Sequence, residues 1–135
     1  YVSKDRPEQV VRDWRAGEYS PAKLRRGWMP PHPTLYVRRS VFESVGAFDT
    51  SLRIAADYDW MLRLLLAGHR VAYIPHVQVR MRTGGASNRS LGNIMRKSTE
   101  DFSVLRRHGF SHAAAATALL SKNLRKLPQL VRRRF

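Results

Sequence analysis

The sequence predicts an α/β segment followed by a helical appendage. Three observations carry that reading. Apolar residues recur at helical spacing in short stretches that end on glycine, at Gly17, Gly46 and Gly68. Runs rich in β-branched and aromatic residues, Thr34 to Val37 and then "RVAYIP" and "VQVRMR", stand among them with strand character. Beyond the small, glycine-containing "TGGASNRS" the chain turns helical to its end. The division falls at residues 1–89 and 90–135.

Taken in order, Pro7 suits a first helical position, and "PEQVVRDWRAG" places Val10, Val11 and Trp14 on one face before Gly17. A short helical turn is expected at Ser20 to Arg26. Pro30, Pro31 and Pro33 forbid a helix in "GWMPPHPTLYVRR", and Thr34 to Val37 follow as a strand. "SVFESVGAFD" resumes helix from Ser40 as N-cap, with Glu43 completing a capping box and Gly46 as the stop. A helix from Asp57 to Ala67 closes at Gly68, with Leu62, Leu65 and Leu66 as its buried stripe. Two short strands broken at Pro75 come next. Then follow a helix from Ser90 to Arg107, a break at "HGF", and helix from Ser111 onward with a kink at Pro128.

The 135 residues suffice for one compact domain. No run reaches the length of a spanning helix, and because the chain opens on Tyr1 within what reads as a strand, it is expected to be a piece of a longer protein. With no cysteine, a disulfide framework, a thiolate metal site and a cysteine nucleophile are excluded. The net charge is +15, and the excess is concentrated in residues 91–135, which hold ten basic and two acidic residues. There "LSKNLRKL" and "VRRRF" interleave charge with Leu and Val at helical spacing and lack a base-stacking aromatic cluster. That pattern suits an anionic membrane surface at least as well as it suits nucleic acid, and a solvated basic helix accounts for it equally.

Against this charge, Asp57 and Asp59 in "IAADYDWMLRLLLAGHRVAYIP" stand out. An ordinary reading accounts for both: Asp57 as N-cap, Asp59 in the first turn where the helix dipole favours negative charge, and Arg63 four residues on as ion-pair partner. A functional reading comes from the wider window. "RRSVFESVGAFD" at 38–49, "ADYDWMLRLLLAGHRVAYIP" at 56–75 and "VRMRTGGAS" at 79–87, in that order, resemble the C-terminal half of family 2 glycosyltransferases. The likeness is to bacterial members that build exopolysaccharide or lipid-linked oligosaccharide.

This resemblance implies an α/β fold, an incomplete GT-A (Rossmann-like) half with a few short strands, and an inverting sugar transfer from a nucleotide-sugar donor to a saccharide or lipid-linked acceptor. It puts Asp57 at the general base. Asp59 and Arg63 then support the acceptor side, with Trp28, His32 and Thr34 as substrate contacts. Arg80 and Arg82 lead into a loop at 80–88, hinged at Gly84 and Gly85, that closes over the departing diphosphate. Ala56 stands where the family usually has Glu. The resemblance implies Mg or Mn, bound mainly by an N-terminal half upstream of this chain; "DYD" has Asp-x-Asp spacing but opens a helix, so no metal ligand is assigned here. Taken alone, such a fragment is expected to be inactive and prone to self-association. Its basic helices would hold a cytoplasmic enzyme peripherally at the inner membrane. The alternative is a basic module that binds nucleic acid or an anionic membrane surface. His69, His76, His108 and His112 lack metal-ligand spacing and receive no role.

Overall fold

The computed structural model describes residues 1–84 and 91–125. Its architecture is mostly helical: α1 (Pro21–Arg25), a 3-10 turn (His32–Thr34), α2 (Arg39–Val45), α3 (Ala56–Leu66), α4 (Leu91–Arg107) and α5 (His112–Leu124). No sheet forms among the described residues. Only isolated bridges occur, Val2 with Val10 antiparallel and Val2 with Arg82 parallel. The expected GT-A (Rossmann-like) half with its short strands is therefore overturned. Strand character in a sequence becomes a strand only when a neighbour completes the ladder, and residues 69–80 have no such neighbour among the described residues.

The N-terminal helix expected from Pro7 is replaced by a turn. The Gln9 N–H donates to Arg6 O at 2.9 Å, which puts Pro7 at the second position of a four-residue turn, where its fixed φ is equally at home. The chain then doubles back, with the Ser3 N–H on Gln9 O and the Val11 N–H on Tyr1 O. The strand expected at Thr34 to Val37 does not form: Thr34 ends the 3-10 turn, where its hydroxyl donates to Pro31 O at 2.8 Å, and Leu35 to Val37 pair with no strand among the described residues. A proline in that first turn sacrifices no hydrogen bond.

Helix α1 starts from Ser20, whose side chain accepts from the Lys23 N–H. At its far end Gly27 has φ +78, and a Cβ there would collide with the Ala118 carbonyl oxygen of α5, so glycine is required twice over. Helix α2 begins one residue before the expected Ser40 cap. Arg38 is its N-cap, no side chain caps it, and Glu43 instead pairs with Arg39 at 2.9 Å. Gly46 ends it at φ 82 as expected.

Helix α3 is the centre of the core. Tyr58, Trp60, Met61, Leu62, Leu64 and Leu65 are buried on it, whereas Leu66 is exposed. Leu24 of α1, Trp28 and Met29 pack against one side. Val104 and Leu105 of α4, Phe110, and Ala115 and Ala118 of α5 complete the same cluster. The small alanines let α5 approach closely. The break at "HGF" is an αL glycine, Gly109 at φ 83, and Ser111 restarts the chain as the N-cap of α5. The kink expected at Pro128 and residues 85–88 of the loop lie outside the described residues.

Candidate functional site

Helix α3 opens with Ala55 as N-cap, and alanine has no side-chain acceptor for the first N–H groups. The acceptor comes from α4. The Glu100 carboxylate accepts from the Ile54 N–H at 2.8 Å, the Ala55 N–H at 2.9 Å and the Arg53 N–H at 3.4 Å. Burial works against its charge, yet these backbone hydrogen bonds and the nearby Arg96 hold its carboxyl below the ordinary glutamate value. Arg107 of α4 grips the same loop further upstream, donating to Asp49 at 3.0 Å, while Asp49 also accepts from the Ser51 N–H and hydroxyl. One face of α4 thus sets the entrance to α3.

The two aspartates at that entrance have different surroundings. Asp57 is in the second helical position and half-buried. One of its oxygens accepts from the adjacent Tyr58 N–H at 2.7 Å, and among the described residues no cation pairs with it. Asp59 is buried. It accepts from Arg63 Nε at 2.9 Å on one oxygen and meets His108 Nε2 at 3.0 Å on the other. The rest of the Arg63 guanidinium donates to Val45 O and Ala47 O, each at 2.7 Å, and Trp60 Nε1 donates to Gly46 O at 2.7 Å. Three consecutive carbonyls at the end of α2, which that helix cannot satisfy itself, are met by α3.

His32 stacks edge-on against Phe48 with centroids 6.0 Å apart, and Phe48 lies 5.4 Å from the Trp60 ring, so an aromatic row connects the proline-rich turn to α3. Trp28 is in the core, its Nε1 donating to Ala16 O at 2.7 Å and its ring 5.7 Å from Tyr19. Thr34 has its hydroxyl on Pro31 O. Arg80 and Arg82 are exposed on the extended segment after α3. A wide cleft of about 1750 Å³ runs between that segment, residues 30–41 and the N-terminal doubled-back stretch. Trp28, Thr34 and Arg80 line it, and Asp57, Asp59, Arg63, His32 and Arg82 do not. The structure therefore joins Asp59 to Arg63 directly and His32 to α3 through its aromatic row, and it keeps Asp57 apart from the cleft.

Sequence reasoning missed Glu100, Asp101 and His108. Asp101 is buried and accepts on one oxygen from Lys97 and Lys122, each at 2.8 Å, while its other oxygen has no partner among the described residues. The Lys122 ammonium lies 3.4 Å from the centroid of the Tyr58 ring. Burial, with Asp101 nearby, pushes the Tyr58 phenol far above its ordinary value. A signal existed. Glu100 and Asp101 are the two acidic residues in a stretch that is otherwise basic, and both turn out to be engaged by the fold.

Among the described residues no three His, Asp or Glu side chains converge as metal ligands, and the Asp59 oxygens are already taken by Arg63 and His108. These residues do not fit a Mg or Mn site. No described helix is long and apolar enough to cross a membrane. No family model matches the chain, and no curated protein or solved structure shows significant similarity to it.

Proposed function

We propose that the chain is the acceptor-side part of a glycosyltransferase, with Asp57 as general base. The acceptor hydroxyl gives its proton to the Asp57 carboxylate while its oxygen bonds to the anomeric carbon of a nucleotide-sugar. The bond to the diphosphate breaks on the opposite face, and its electron pair leaves with the diphosphate, inverting the centre. The observation that carries this reading is the division of labour between the two aspartates. Asp59 is buried and saturated by Arg63 and His108, whereas Asp57 sits half-buried on a helix entrance fixed from outside by Glu100, with an oxygen left for a substrate proton.

Support also comes from the ordered resemblance of residues 38–87 to family 2 glycosyltransferases. In this reading the exposed Arg80 and Arg82 meet the departing diphosphate only if their segment closes toward the α3 entrance, because Arg80 lines the cleft and Asp57 does not. In this reading the nucleotide-sugar and any Mg or Mn would be held by a donor-binding part outside these residues, and no step here runs through a metal. The test is sugar transfer by the polypeptide that carries this chain together with its donor-binding part. Asp57→Asn should lower turnover about a hundredfold or more, and unchanged turnover would overturn the assignment.

One observation favours a second reading, a basic module that docks on an anionic membrane at the cytoplasmic face of the inner membrane. Ile94 and Met95 on α4 and Leu120 and Leu124 on α5 are exposed beside Arg96 and Arg125. Co-sedimentation with phosphatidylglycerol vesicles but not with phosphatidylcholine vesicles supports it. Equal recovery with both, or preference for duplex DNA, contradicts it.

A further inference from the structure

Among the described residues the Asp57 side chain has one hydrogen-bond partner, the N–H of its neighbour Tyr58, 2.7 Å from Oδ1. No side chain bonds to its carboxylate, whereas Asp59 is gripped by both Arg63 and His108. The direction of the Asp57 carboxylate is therefore set by the backbone that carries it. Along that backbone the ladder of α3 begins only with the Asp59 N–H on Ala55 O at 2.9 Å, two residues past Asp57. Just ahead, Ala55 stands at φ −97 and ψ 14, a sparsely populated conformation that an alanine side chain does nothing to enforce.

What holds that conformation is Glu100, whose Oε2 accepts from the Ile54 N–H at 2.8 Å and the Ala55 N–H at 2.9 Å, and whose Oε1 accepts from the Arg53 N–H at 3.4 Å. Glu100 stands one turn before the fully buried Val104 and beside Asp101, which is clasped by Lys97 and Lys122. Its carboxylate is thus presented from an anchored part of α4. Arg107 grips the same loop at Asp49, outside residues 53–58. We infer that Glu100 is a positioning residue for Asp57: it locks the entrance of α3 in the conformation that aims the Asp57 carboxylate at the acceptor hydroxyl. This inference rests on the reading of Asp57 as general base. A carboxylate suits the task because its two oxygens together take three N–H groups and its charge complements the helix start. A reacting group misplaced by about 1 Å costs on the order of a hundredfold in rate, so a loosened entrance registers in turnover.

The first test needs no substrate. In the full chain, NMR couplings that report χ1 of Asp57 should show one rotamer in wild type and averaging over rotamers in Glu100→Gln, with the Tyr58 amide losing protection from hydrogen exchange. Glu100→Asp, which keeps the charge but falls one methylene short, is the second variant and should behave alike. Arg107→Gln loosens the same helix at Asp49 and should leave Asp57 and the Tyr58 amide as in wild type. Averaging in wild type, no change in the Glu100 variants, or the same change in Arg107→Gln overturns the inference. So does loss of helix content, by circular dichroism, in both Glu100 variants, which would make the residue a fold determinant only. The second test is sugar transfer by the polypeptide that joins this chain to its donor-binding part. Glu100→Gln should lower kcat about tenfold or more with the acceptor KM unchanged, and should add nothing to Asp57→Asn. Asp57→Asn at wild-type turnover would overturn the base reading and the catalytic half of this inference with it. A fall in Asp57→Asn with none in Glu100→Gln, or losses that add in the double variant, would overturn this inference alone.

Discussion

The Glu100 carboxylate of α4 accepts the backbone N–H of Ala55 at 2.9 Å, across 45 residues of sequence, and so caps the helix that carries Asp57. It supplies what alanine at the N-cap cannot. The consequence is that the entrance of α3 depends on α4, and the orientation of Asp57 depends on both.

Glu100→Gln keeps the shape of the side chain and removes its charge and one acceptor oxygen. The expected loss is about 1–2 kcal/mol of stability, in line with caps and charged hydrogen bonds. Urea unfolding measures it, and hydrogen exchange should show the Arg53 to Ala55 amides losing protection first. A loss within experimental error would mean that the cap is immaterial.

Acid should expose the same contact. The folded-state pKa of Glu100 lies below its ordinary value of 4.5, so the unfolded chain takes up the proton first and the contribution to stability is present above that value. It fades as pH falls below about 4.5 and is gone once pH drops beneath the folded-state pKa. Asp49 has the same sign, held low chiefly by the Ser51 hydroxyl and N–H, and adds to the slope. Thermal melts of wild type and Glu100→Gln across this range should converge at the acid end.

Asp59 and Asp57 should separate in stability. Asp59→Asn leaves Arg63 and His108 facing a neutral amide in a buried site, with an expected cost of about 3 kcal/mol. Asp57→Asn leaves a half-buried side chain at a helix start and should cost about 0.5 kcal/mol or less. Denaturant midpoints of the two variants side by side decide this, and equal losses would dissolve the distinction between them.

What the sequence made legible was local. The span of α3, the glycine stops at Gly46 and Gly68, the Ser111 restart and the Asp59–Arg63 pair follow from spacings of four residues or fewer, where side-chain neighbours are fixed by the helix itself. What failed was non-local. The strand character of residues 70–75 and 77–82 is plain in the sequence, but pairing depends on a neighbour that local pattern cannot supply. Pro7 reads as a helix start, but its fixed φ serves the second position of a turn as well, and the Gln9 to Arg6 hydrogen bond marks the turn. For the site, Asp57 and Asp59 could be singled out, yet their different surroundings rest on Glu100 of α4 and on His108 in the turn after it, both more than 40 residues downstream.

The most direct measurement is the rate of sugar transfer to acceptor by Asp57→Asn, relative to wild type, in the polypeptide that joins this chain to its donor-binding part. It should be made at a temperature where both proteins are fully folded. Asp57 as general base predicts a fall of about a hundredfold or more in turnover with stability nearly unchanged. Turnover at the wild-type rate would contradict it and leave Asp57 as an ordinary first-turn carboxylate.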